Sequence, residues 1–196
     1  MISGYDHGQN IFVISIDRNL NCEWVFDNNS TGKRHDEFHF SKTFLSEIID
    51  RLGEESSKAQ KLQIPITTTS KFTANTNDDL IYLMFTRSNV SKQSRFKEIG
   101  FIRFGKRDLY FDDGTSLKHL VNCPSILDFY IRFKRNGFGK ILFDLMLKRL
   151  AIHPKLLAYD RPSFSMLSFL RHHYSLDQPI WQHNHFVIFS NDIFSF

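Results

Sequence analysis

Residues 125–140 read SILDFYIRFKRNGFGK, and the fold turns on this stretch. From Ser125 to Ile131 the apolar residues occupy both faces, the pattern of a strand buried inside a sheet. That pattern stops at Arg132. Arg132, Lys134, Arg135 and Lys140 then surround Gly137 and Gly139, while Ile141, Leu142, Leu145, Met146 and Leu150 follow at helical spacing. A strand, a basic glycine-bearing turn and a helix in succession suit an anion. Residues without a Cβ let backbone N–H groups close around it, and the free amides and partial positive charge of a helix N-terminus favour a pyrophosphate. A solvated glycine-rich turn would carry the same residues. The dinucleotide fingerprint G-x-G-x-x-G is excluded, because its third glycine is Leu142 here.

With 196 residues the chain can bury a full core, and one domain spanning 1–196 is expected. Charged residues at 23% and hydrophobic ones at 41% belong to the globular class. The 21 phenylalanines point to an aromatic core. A net charge of +4 favours acidic partners without naming one. Cys22 and Cys123 form no C-x-x-C, which suits a reducing compartment. His172, His173, His183 and His185 lack accompanying cysteines or carboxylates at ligand spacing, so no metal is expected. Ile11 to Ile14 is too short an apolar run for a signal peptide or membrane span, which predicts a cytosolic protein. Aromatic and basic residues do not alternate on a strand face, so no nucleic-acid partner is expected.

Along the chain, Ile11 to Ile16 reads as a first strand. Asp27 to Glu37 is polar and glycine-bearing, a loop. Ser41 is placed to cap a helix, with Phe40 and Leu45 as a hydrophobic staple and Phe44, Leu45, Ile48, Ile49 and Leu52 as its apolar face. That pattern resumes past Gly53 and ends by Pro65. Ile64 to Ser70 reads as extended chain or a substrate-facing loop. Leu80 to Thr86 and Ile99 to Phe104 read as strands joined by a basic loop, Arg87 to Lys97. A third, Leu109 to Phe111, follows a turn at Gly105 to Asp108, giving an antiparallel meander. Leu156 to Tyr159 is a further strand, Pro162 opens a helix, and Phe186 to Phe189 closes the series. The order β-α-β-β-β-β-α-β-α-β predicts a mixed α/β sheet with parallel pairing around the βαβ unit.

These residues carry a closer match. Arg135, Gly137 and Gly139 resemble the Q/R-x-x-G-x-G/A turn of the GNAT acetyltransferase superfamily. Ile48 to Thr67 (IIDRLGEESSKAQKLQIPIT), Ile99 to Leu109 (IGFIRFGKRDL), Ile126 to Ile131 (ILDFYI), Leu157 to Ser163 (LAYDRPS) and Asn184 to Phe189 (NHFVIF) together resemble the α-tubulin N-acetyltransferase family. The resemblance runs from Ile48 onward and is weak before it. It implies a GNAT fold that transfers acetyl from acetyl-CoA to a lysine on the lumenal side of α-tubulin in microtubules. It also implies a monomer in the cytoplasm, on cytoskeletal microtubules such as those of cilia or axons. The other readings are a GNAT enzyme acetylating another amine and a non-catalytic microtubule-binding relative.

By motif, the family's cofactor segments are similar to Phe129, Tyr130, Ile131, Arg132, Phe133, Lys134, Arg135, Asn136, Gly137, Phe138, Gly139 and Lys140. The second segment is similar to Ser163, Phe164, Ser165, Met166, Leu167, Ser168, Phe169, Leu170, Arg171 and His172. The family's essential glutamine matches Gln60 in S-K-A-Q, and its active-site aspartate matches Asp160 in D-R-P-S. Without the resemblance, Asp160 would read as a helix cap and Gln60 as a solvated helix end. Two departures stand out. Ser125 replaces the family's cysteine, with Cys123 two positions earlier, and the cofactor turn is two residues shorter than the family's, with Lys134 where glutamine is usual. A lysine of pKa ~10.4 costs roughly 4.6 kcal/mol to deprotonate at pH 7, so a nearby base is needed. The absent cysteine shifts that burden to Asp160.

Overall fold

The computed structural model describes residues 10–27, 40–88, 95–112 and 114–195. Of the loop expected from Asp27 to Glu37 only Asp27 is among them, and it ends a strand; of that expected from Arg87 to Lys97 the centre lies outside them and both ends are strand. The strands are β1 (Asn10–Ile16), β2 (Cys22–Asp27), β3 (Leu80–Ser88), β4 (Arg95–Asp112), β5 (Leu117–Ile131), β6 (Ala158–Asp160), β7 (Ile180–Trp181) and β8 (Phe186–Ile188). The helices are α1 (Lys42–Gln60), α2 (Thr69–Thr73), α3 (Phe138–Leu150) and α4 (Phe164–Tyr174). The strands form one sheet in the order β2-β1-β3-β4-β5-β6-β8-β7. Every pairing is antiparallel except β5 with β6, the βαβ unit built on α3.

Alternation along β1 and β3 sends side chains to opposite faces, and helices cover both. Ile11, Val13, Tyr82 and Met84 pack with Leu142, Phe143 and Met146 of α3 and Leu170 of α4. Phe12, Ile14, Ile81, Leu83 and Phe85 meet Leu45, Ile48, Ile49 and Leu52 of α1 and Phe72 of α2 on the other side. The phenylalanines do serve the core. Phe12 and Phe85 stack at 5.0 Å, Phe40 and Phe85 at 5.6 Å, and Phe40 and Phe44 at 5.5 Å. Among the described residues Phe164 is the exception, 91% exposed.

Local chemistry sets the helix ends. Ser41 caps α1, its hydroxyl accepting from the Phe44 amide at 3.2 Å, and Phe40 packs in the same cluster as Leu45. The helix runs unbroken through Gly53 and stops at Gln60, where Lys61 turns left-handed at φ 58°, well before Pro65. Gly53 has no room for a side chain: a Cβ there would collide with the Thr67 carbonyl oxygen. The segment after α1 therefore folds back directly onto the helix.

Several expectations need correction. Cys22–Asp27 is a second strand, and Thr68 caps a short helix inside the stretch expected to be extended. Gly105 to Asp108 is no turn. β4 passes through it with register shifts at Arg103/Phe104 and Arg107/Leu109, so the expected third strand is part of β4. Pro154–Leu156 is a 3-10 turn, and β6 starts only at Ala158. Pro162 lies outside α4, which Ser163 caps by accepting from the Met166 amide at 3.2 Å. β7 follows unannounced at Ile180.

Alanine at position 53 is a better helix former by ~1 kcal/mol, yet the collision with Thr67 dominates. Gly53→Ala is expected to lower stability by roughly 1–3 kcal/mol, read as a reduced urea midpoint. A rise in that midpoint would refute the close approach.

Candidate active site

β5 pairs with β6 only at Ser125↔Ala158 and Ile126↔Tyr159. Beyond these, β6 ends at Asp160 while β5 continues to Ile131 beside β4. The sheet parts there, and the two groups of candidate residues border the parting from opposite faces.

On the face of α3 and α4 lie the two segments expected to hold the cofactor. Gly137 caps α3 at φ 76° with no side-chain hydrogen bond, and among the described residues no side chain satisfies the first-turn amides. Arg135 is also left-handed, at φ 64°. A Cβ at Gly137 would meet no atom within 4 Å, so that side of the turn is open. Gly139 instead faces a packed wall, with Phe129, Ile131 and Phe169 at 3.4–3.6 Å from a Cβ placed there. Phe129 and Phe169 touch edge to face at 5.4 Å, which brings the two segments together. Phe138, Met166 and Leu170 are buried anchors. Lys134, Arg135, Asn136, Phe164, Ser165, Ser168, Arg171 and His172 are exposed. Lys140 pairs with Asp144, and Lys97 lies 4.2 Å over the Phe133 ring.

Arg132 behaves differently from its neighbours in the turn. Its guanidinium donates to both carboxylate oxygens of Glu55 at 2.7 and 2.8 Å, and to Glu98 at 3.2 Å. These bonds hold the Glu55 carboxyl below the usual range. The side chain thus ties the end of β5 to α1 and β4.

On the face of α1 the decisive group is Asp128, which the sequence reading passed over. It is 5% exposed and sits in β5. Its Oδ1 accepts from Ser56 Oγ at 2.9 Å and Gln60 Nε2 at 3.1 Å, and its Oδ2 from Thr67 Oγ1 at 2.7 Å. Burial pushes its pKa up, and the bonds from Thr67, Ser56 and Gln60 oppose that rise. Gln60 is therefore a half-buried, bonded member of a cluster rather than a solvated helix end. Asp160, 27% exposed, also has a raised pKa. Burial is the main cause. The positive charges of Arg161, Arg107 and His185 counter it, and the negative charge of Asp128 adds to it. Ser163 takes the capping role, which leaves the Asp160 carboxylate free of it. The one signal that could have found Asp128 is a lone acid inside an apolar strand.

Ser125 is fully buried and donates to the Cys123 carbonyl at 2.9 Å. Cys123 is buried as well, and burial pushes its thiol up to about 12. Neither supplies a base at neutral pH.

Asp79 supports this face from below. Its side chain is fully buried, accepting from Arg103 at 2.7 and 3.0 Å and from Arg107 at 2.7 and 2.8 Å. Burial works to raise its pKa, but the bonds from Arg107 and Arg103 more than reverse this and hold it low. Arg103 also donates to the Ile66 carbonyl at 3.3 Å, next to Thr67.

A fold with this split sheet and a glycine-capped helix after the parting is that of a GNAT acetyltransferase. The family described as "GNAT acetyltransferase, Mec-17" matches residues 9–195, and the chain belongs to it. The chain is 41% identical over 74% of its length to the alpha-tubulin N-acetyltransferase of Aedes aegypti, and 40% identical over 74% to that of Schistosoma japonicum. It is 36% identical over 80% of its length to that of Plasmodium knowlesi. The matches span about half of the first two relatives, 52% and 56%, and 80% of the third.

Because the Asp79 pKa is depressed, the stability it contributes is present above its unfolded pKa of ~3.9 and is lost as pH falls through the folded value. Asp79→Asn is expected to cost roughly 3–5 kcal/mol near neutrality, since two arginines lose a buried counter-charge. The deficit should narrow as the pH drops below ~3.9. Thermal melts across pH 2.5–7 check this, and a deficit independent of pH would contradict it.

Proposed function

We propose that this chain transfers acetyl from acetyl-CoA to a lysine side chain of α-tubulin in microtubules, on the lumenal side as the family resemblance implies. The observation that carries the reading is the arrangement around the sheet parting. Gln60 and Asp160 approach it from the α1 face, and the glycine turn and α4 border it from the other.

The turn fits the cofactor. Gly137 is open and left-handed, and the first-turn amides of α3 have no side-chain cap, as a bound pyrophosphate requires. Phe138, Gly139 and Lys140 would supply those amides, with Arg135 and Lys134 as exposed cations nearby. Phe129 and Phe169 offer an apolar wall. When bound, acetyl-CoA supplies the activated acetyl group as a thioester.

The chain's own residues handle the acceptor. Asp160 takes a proton from the lysine ammonium, directly or through water, leaving a neutral amine whose lone pair would form the new amide bond as the acetyl–sulfur bond breaks, coenzyme A leaving as its thiol with the second proton of the amine. Burial raises the pKa of Asp160, which makes it a better proton acceptor than an ordinary aspartate. Gln60 cannot titrate, so its role is to orient the amine. A cytoskeletal location follows from this substrate.

Calorimetry with acetyl-CoA tests the turn. Gly137→Val, forced into a left-handed backbone, is expected to weaken binding at least roughly tenfold with the fold intact; unchanged affinity would remove the phosphate cradle.

Initial rates on assembled microtubules test the acceptor side. Asp160→Asn should lower kcat by roughly 100-fold or more and abolish the acid limb of the pH profile, along which the rate rises as Asp160 deprotonates. Gln60→Ala should lose most activity while acetyl-CoA affinity stays the same. Full activity in Asp160→Asn would overturn the assignment.

A further inference from the structure

Asp128 has an arginine directly opposite it in the sheet and does not use it. Arg103 is its cross-strand partner in β4, on the same face, yet that guanidinium goes to Asp79 and the Ile66 carbonyl. Among the described residues no cation pairs with Asp128. Its oxygens are instead served by the neutral donors of Ser56, Thr67 and Gln60. A buried carboxylate without a counter-ion is expensive, so this arrangement calls for a reason.

The geometry of the Gln60 amide supplies one. A carboxylate only accepts, so the Gln60 atom facing Asp128 must be the nitrogen. That nitrogen donates to Asp128 Oδ1 at 3.1 Å and to Ser56 Oγ at 2.8 Å, which uses both of its hydrogens on the protein. Ser56 can accept from Gln60 because its own hydrogen goes on to Asp128. Turning the amide over would set its oxygen against the carboxylate. The Gln60 Oε1 is thus left without a donor among the described residues. An open acceptor complements an amine, which has N–H to give and must point its lone pair elsewhere.

Resting on the acetyltransferase reading, we infer that Asp128 is a positioning residue: through Ser56 it locks Gln60 with Oε1 toward the acceptor site, so that Gln60 aligns the lysine N–H as a hydrogen-bond acceptor. Gln60 is then no donor to the developing oxyanion. Thr67 holds the far oxygen of Asp128 and so fixes the carboxylate plane.

The test combines a mutant cycle with side-chain NMR on the full chain. Asp128→Asn keeps the shape but accommodates either Gln60 orientation. It is expected to lower kcat on microtubules roughly tenfold, with acetyl-CoA affinity within twofold of the parent. In the Gln60→Ala background the same substitution should cost nothing further. Additive losses would mean that Asp128 acts on the fold and would overturn the inference. Independently of activity, the Gln60 side-chain amide protons, identified by their loss in Gln60→Ala, should exchange slowly with solvent. Exchange as fast as in exposed glutamines would also overturn it, even if Asp128→Asn fails to fold. If Gln60→Ala retains full activity while its amide in the parent is protected, the role of Gln60 in catalysis falls and the locked orientation stands.

Discussion

One buried carboxylate organises both the long strand and the site. Asp79 binds Arg103 and Arg107 from the same strand, and it occupies the space that a side chain at Gly105 would need. β4 shifts register beside each arginine, so the irregularities fall where the strand reaches down to this anion. Arg103 then extends to the Ile66 carbonyl, which settles the segment carrying Thr67, and Thr67 bonds Asp128. Arg107 contributes positive charge to the surroundings of Asp160. A chain of charge-assisted bonds thus runs from Asp79 to the segment that holds Asp128, while Arg107 reaches Asp160 through its charge alone.

How much of this was legible depended on how local its cause is. The Ser41 cap and the apolar face of α1 depend on residues within a few positions, and the sequence displayed them. The strand, turn and helix from Ser125 to Leu150 were readable for the same reason, because the change from two-faced strand to helical spacing happens at one place. β4 was hidden because Gly-Lys-Arg-Asp has the composition of a turn. Its arginines are polar on behalf of Asp79, more than twenty positions earlier, and nothing local records that debt. Pro162 was misplaced because a hydroxyl one residue later caps better than a proline opens.

The site divided along the same line. Gln60 and Asp160 were singled out by motif, and the glycine turn by its physics. Asp128 went unremarked although it lies within residues 125–140, since its three partners come from α1 and from the segment packed against Gly53. Arg132 was counted with the basic residues of the turn and is instead held by two glutamates. In both cases charge was visible and its destination was not.

The turn between β5 and α3 has a further consequence. Its two ends are fixed independently: the Arg132 amide bonds the Ile99 carbonyl, and Phe138 is buried as the first residue of α3. The residues between them, Phe133 to Gly137, take no part in the sheet. Lengthening such a strap costs only the logarithm of its length in closure entropy, and it leaves strand register and helix packing undisturbed. Residues can therefore be added or removed here, like changing the slack in a tether, while the α1 face on the far side of the sheet stays as it is.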